Sequence, residues 1–111
     1  MTIHIMNLRY NKPTELYDFK VDRTSIVGNP FQISKETHLS LAMCRDTVCD
    51  KYDIYFPEAM KNDPKFSNYI AHLIIRYKQF NKLRLFCWCA PKRCHAEIIR
   101  NYILREVQEQ W

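Results

Sequence analysis

One segment limits the folds open to this chain more than any other. Leu83-Arg84-Leu85-Phe86-Cys87-Trp88-Cys89 is apolar or aromatic at nearly every position and stops at Ala90-Pro91. Strand geometry puts Leu83, Leu85, Cys87 and Cys89 on one face, with Phe86 and Trp88 on the other. A strand that is apolar on both faces has both covered, so it is expected in the interior of a sheet. A chain of 111 residues has room for one such domain.

The remaining elements follow from periodicity and punctuation. Thr2 to Leu8 alternates as a short strand, and Tyr17 to Arg23 offers a second around Phe19 and Val21. Asp22 to Phe31 then reads as a loop, in which Gly28 can take a positive φ and Asn29 is kept out of helical space by Pro30. Thr37 or Ser40 can cap a helix carrying Leu41, Cys44, Val48, Tyr52, Tyr55 and Phe56, ended or kinked by Pro57. Asp63-Pro64 is a strong start signal for a helix with Phe66, Tyr69, Ile70, Leu73, Ile74, Tyr77 and Phe80 on its apolar face. A final helix begins near Cys94 and buries Ile98, Ile99, Tyr102, Ile103 and Val107. The order strand, strand, helix, helix, strand, helix implies a single α/β domain over residues 1–111, with a short, mostly parallel sheet between helical layers.

Composition removes several functions. No run of about 18 apolar residues is present, which argues against a membrane span. The stretch Met1 to Tyr10 is too polar and too short for a secretory signal, so a cytoplasmic location is expected. A single glycine, Gly28, excludes the glycine-rich phosphate loops. The net charge of +5 is lopsided: Met1 to Met60 holds 7 basic and 8 acidic residues, and Lys61 to Trp111 holds 10 basic and 4 acidic. That asymmetry fits an anionic partner, from a nucleotide phosphate to a nucleic-acid backbone, and equally a solvated surface.

Chemistry concentrates in Cys87-Trp88-Cys89-Ala90-Pro91-Lys92-Arg93-Cys94-His95. Cys94 and His95 fall at a helix start, where backbone N–H groups and the helix dipole favour a thiolate or a bound anion, and Lys92 and Arg93 act in the same sense. The plainer reading is a buried cysteine beside a capping histidine. Cys87, Cys89, Cys94 and His95 also form a valid zinc set, with Cys44 or Cys49 as outside ligands. Drawing every ligand from one strand-turn-helix, with Cys94 and His95 adjacent and diverging, speaks against that reading. The C-x5-R spacing from Cys87 to Arg93 lacks the small residues of a phosphate-binding loop. Arg23, with Asp22 at the end of a strand, is the second candidate, because a guanidinium holds phosphate or carboxylate in paired hydrogen bonds; Asn29 and Arg45 can join it.

The run Val21-Asp22-Arg23 to Gly28-Asn29-Pro30-Phe31, then Arg45, then Leu85-Phe86-Cys87-Trp88-Cys89-Ala90-Pro91 to Cys94-His95, resembles the family called domain of unknown function 4326. The likeness spans Phe19 to Leu104 and implies a small Rossmann-like α/β domain of phage or bacterial origin. Arg23, Gly28 to Phe31 and Cys94-His95 carry over from its motifs. Ala96 departs from the glycine that commonly follows the C-H pair.

The expected function is therefore binding of a nucleotide, nucleoside or other phosphorylated metabolite between the Arg23 to Phe31 loop and the Cys94-His95 helix start. Arg23, Gly28, Asn29, Pro30, Phe31, Arg45, Cys87 and Cys89 would contact the ligand. If there is catalysis, Cys94 is the nucleophile or His95 the acid and base. The alternatives are an accessory factor that binds nucleic acid or protein through the basic surface from Lys61 to Arg93, and a zinc-stapled structural domain.

Overall fold

A computed structural model describes residues 2–31, 41–88 and 94–109, the side chains of 41–45 and 109 excepted. In chain order the elements are β1 (Thr2–Asn7), β2 (Asp18–Lys20), α1 (Leu41–Asn62), α2 (Pro64–Phe80), β3 (Lys82–Cys87) and α3 (Ala96–Glu109). The strands form one parallel sheet in the order β1-β3-β2, so the doubly apolar segment is its central strand. Ile3 lies opposite Leu83 and Ile5 opposite Leu85 across one ladder, and Phe19 opposite Leu85 across the other. These side chains share one face and meet the buried side chains of all three helices in a continuous core.

The layering departs from expectation. Among the described residues, α2 and α3 pack against the sheet face that carries Leu83, Leu85 and Cys87, and they touch each other. The first helix, α1, joins them through Phe56, whose ring meets Phe66 of α2 and Tyr102 of α3, rather than covering the opposite face. That opposite face carries exposed Thr2 and His4, and among the described residues no helix packs on it, although Phe86 there is buried. The Arg84 guanidinium lies 5.5 Å from both the Tyr17 and the Phe86 ring centres. It donates from Nε and Nη2 to the two carboxylate oxygens of Asp18, at 2.6 and 2.5 Å. Among the described residues, a cation on an apolar stem thus covers part of the face that the sequence pattern assigns to a second helical layer.

Two local signals act as read. Asp63 caps α2 by accepting from the amides of Lys65 and Phe66, with Pro64 in the first turn. Asn81 then takes a left-handed conformation (φ 54°), its amide bonded to the Tyr77 carbonyl, and the chain passes straight into β3. Two signals act differently. Pro57 does not end α1, which continues to Asn62. The missing N–H would have met the carbonyl of Asp53, an exposed residue where water can take its place, while Phe56 and Ala59 hold the helix onto the core. Gly28 does not have a positive φ. It is needed for closeness: a Cβ there would stand 2.3 Å from the Asp22 carbonyl oxygen and 2.7 Å from the Arg23 Cα. The candidate caps Thr37 and Ser40 lie outside the described residues, and no described helix is long and apolar enough to cross a membrane.

Candidate functional site at the carboxyl edge of the sheet

Because the strands are parallel, their carboxyl ends open on one edge, the usual ligand side of such sheets. The edge is closely knitted. The Val21 amide donates to the Phe86 carbonyl and the Leu8 amide to the Cys87 carbonyl, extending both ladders beyond the strands. The Asn7 side chain donates to the Trp88 carbonyl at 3.3 Å and accepts from the Arg9 amide at 2.9 Å.

His95 enters this edge from the start of α3. Its Nε2 donates to the Val21 carbonyl. A carbonyl can only accept, so the proton sits on Nε2, and in the neutral ring Nδ1 carries a lone pair. Cys94 Sγ lies 3.5 Å from that Nδ1, so the two adjacent side chains meet rather than diverge. Both residues are buried, at 2% and 6% exposure. Burial holds the imidazole below its usual pKa, and the nearby Arg23 charge adds to this; the Val21 hydrogen bond and Asp22 oppose it. The resting imidazole is thus neutral, with its Nδ1 towards Cys94 Sγ. The Tyr52 ring packs on His95 with centroids 5.1 Å apart, and its hydroxyl donates to the Val27 carbonyl at 2.7 Å. Burial, together with the Tyr55 and Cys94 groups, pushes the Tyr52 hydroxyl up, so it remains a donor at physiological pH.

The loop after β2 supplies the second wall. Asp22 is buried at 4% exposure and accepts from Thr24 Oγ1 at 2.7 Å and from the Trp88 indole N–H at 3.1 Å. Arg23 donates from Nη1 to the Asn29 carbonyl at 2.5 Å. Buried Asn29 donates from Nδ2 to the Val48 carbonyl of α1, while its Oδ1 accepts from the Phe31 amide. Phe31 meets the Tyr55 ring edge-on at 5.9 Å. Tyr69 reaches the same loop, donating to the Lys20 carbonyl at 2.5 Å; burial and the Asp22 charge push its hydroxyl up to about 12.

The structure brings Arg23 together with Asn29, and Cys94 with His95, and it ties His95 to Val21, two residues ahead of Arg23. Pro30 is exposed beside them, and Cys87 is buried at the end of β3. Cys89, Lys92, Arg93 and the side chains of Cys44 and Arg45 lie outside the described residues. Among the described residues no group of three metal-ligating side chains is assembled, and Cys49 is buried on α1. A cleft of about 600 Å³ is lined by Asp53, Cys94, Glu97, Ile98, Asn101, Leu104 and Arg105. It runs between α1 and α3, so the cavity beside Cys94 is not walled by the Arg23 to Phe31 loop as expected.

Sequence reasoning missed Glu97. Its carboxylate accepts from the Cys94 amide at 2.9 Å, so the chain's own anion takes a helix-start donor assigned to a ligand. The signal was the spacing Cys94-His95-Ala96-Glu97, the return half of a capping box. On the basic surface, Lys61, Lys65 and Lys78 are exposed, whereas Arg84 is engaged by Asp18.

Fold and edge together define a small α/β domain with a three-stranded parallel sheet and a buried thiol–imidazole pair at its carboxyl end. Residues 6–105 match the family model Domain of unknown function (DUF4326), and the chain belongs to that family. The match includes the end of β1, further towards the N-terminus than the motifs alone indicate. No curated protein and no solved structure matches the chain.

Proposed function

We propose that the domain binds a nucleotide, nucleoside or other phosphorylated small molecule at the carboxyl edge of its Rossmann-like sheet, with the Cys94–His95 pair against the ligand. The observation that carries this reading is the pair itself. The Cys94 thiol faces an imidazole whose tautomer is fixed by the Val21 carbonyl, two residues ahead of Arg23, so the pair and the loop cation belong to one edge. The geometry lets His95 Nδ1 accept the thiol proton and leave Cys94 Sγ as a thiolate, and the same groups can recognise a polar ligand without reaction. Arg23, the exposed cation of the loop, is the group for phosphate. A reducing cytoplasm, in a bacterium or its phage, is the setting that keeps such a thiol available.

The test is thermal or urea unfolding with phosphate and with nucleoside monophosphates. At a hundredfold excess over the dissociation constant, a bound ligand stabilises the fold by about 2.7 kcal/mol. Arg23→Ala is expected to abolish that gain, and Cys94→Ser to leave the protein folded. An equal gain in wild type and Arg23→Ala places the ligand elsewhere. Binding of long nucleic acid with a steep salt dependence, unaffected by Arg23→Ala, favours the basic-surface alternative.

A further inference from the structure

Among the described residues the carboxyl edge leaves two large aromatics exposed, Tyr10 at 75%, beside the Arg9 guanidinium, and Trp88 at 61%. An exposed indole usually swings on its side-chain bonds, but this one is held at both ends. Its N–H is bound by the buried Asp22 carboxylate at 3.1 Å, and its backbone carbonyl by Asn7 Nδ2 at 3.3 Å. Burying a carboxylate is costly unless it is hydrogen-bonded, and half of the Asp22 side-chain bonding shown here goes to orienting a ring that contributes little to the core.

The surroundings favour an anionic partner. Trp88 follows the central strand, while Arg9 follows β1 on one side and Arg23 follows β2 on the other, and both arginines are exposed. The Asn7 side chain that holds the Trp88 carbonyl also accepts from the Arg9 amide, so the main chains of the two residues share one anchor, and the Arg9 guanidinium lies over the Tyr10 ring. The nearest carboxylate, Asp22, is buried and already shared between two donors.

We infer that Trp88 is a stacking platform for a nucleobase and that Arg9 flanks it as a phosphate contact. This rests on the reading that the edge binds a nucleotide, and it names the part of the ligand that is recognised and the residues that recognise it. The base can belong to a free nucleotide or to a single-stranded nucleic acid, since both present the same face.

Trp88 and Trp111 are the only tryptophans, so a Trp111→Phe protein reports on Trp88 alone. Its fluorescence would be titrated with the four ribonucleoside monophosphates, adenosine, inorganic phosphate and a ten-nucleotide single strand, with affinities cross-checked by calorimetry. Saturable quenching by monophosphates is expected. Trp88→Ala should weaken binding roughly 5- to 150-fold, while Trp88→Phe, which keeps a ring face, retains most of it. Arg9→Ala should weaken monophosphate binding and leave adenosine unchanged. Much tighter, salt-dependent binding of the single strand assigns the base to nucleic acid, and comparable affinities assign it to the free nucleotide. If monophosphates bind wild type and a folded Trp88→Ala equally, the platform is overturned while the edge reading stands. If none of the probes binds wild type, both are overturned.

Discussion

Two polar clusters lie close to the central strand, one on its open face and one at its carboxyl end, and the fold uses them in opposite ways. On the open face, Asp18 accepts two bonds from Arg84 and the amides of Thr14 and Glu15 as well. Charge meets charge, and the cluster is closed by the chain itself. At the carboxyl edge, His95, Asn29 and Tyr52 meet backbone instead, on Val21, Val48 and Val27, and buried Asp22 meets two neutral donors, Thr24 and Trp88. Such contacts fix side chains without neutralising them, and they leave Trp88 and Arg23 facing solvent. Both clusters support the fold, but the open-face cluster is closed on itself, whereas the edge cluster also presents residues to solvent.

The largest effect that separates the two is expected from His95→Ala. It removes a buried ring packed on Tyr52 and strands the Val21 carbonyl, at a cost of about 2–5 kcal/mol. Asp18→Asn comes next, at about 1–3 kcal/mol, because it weakens a charge-assisted pair that also anchors a turn. Gly28→Ala is expected to cost a similar 1–3 kcal/mol, roughly, by forcing Asp22 and Arg23 backbone away from an added methyl. Urea midpoints give all three values, and an Asp18→Asn loss exceeding that of His95→Ala breaks the proposed ranking. Trp88→Ala is expected to cost under about 1 kcal/mol, since most of the ring is already in water. A larger loss would make the indole a structural element and remove the contrast.

The clusters also differ in their acid dependence. His95 has its folded pKa lowered, so the unfolded chain binds the proton more readily. Its contribution is whole above about pH 6.5 and shrinks as pH falls from there towards the folded value. For Asp18 burial acts upward, but the Arg84, Thr14 and Glu15 hydrogen bonds outweigh it and lower the pKa. Its contribution is present above the unfolded value near 3.8 and is lost as pH falls through the folded one. Stability measured against pH should therefore lose its upper step in a His95 variant and its lower step in Asp18→Asn.

The elements were legible where local chemistry acts alone. The doubly apolar run from Leu83 placed the central strand, and Asp63-Pro64 placed the start of α2. What was not legible depends on partners distant in sequence. Arg84 looked like part of a basic surface because nothing local says that Asp18, 66 residues away, will claim it. The second helical layer was expected for the same reason, since a guanidinium covering Phe86 leaves no mark in the apolar pattern. At the site, the cysteine–histidine helix start and the Arg23 to Phe31 loop were legible as motifs. Their wiring through the Val21 and Val48 carbonyls was not, because backbone acceptors carry no sequence signature. The role of Gly28 was misassigned between two uses of glycine, positive φ and close approach, that only the surrounding backbone tells apart.

The central claim is that the edge holds a neutral imidazole in one tautomer, with Nδ1 open towards the Cys94 thiol. Nitrogen-15 spectra of the histidine rings at pH 7.5, with the His95 signals assigned by their loss in His95→Ala, test this directly. The account predicts a protonated Nε2 and an unprotonated Nδ1 for His95. A proton on Nδ1, or a doubly protonated ring at that pH, would contradict it.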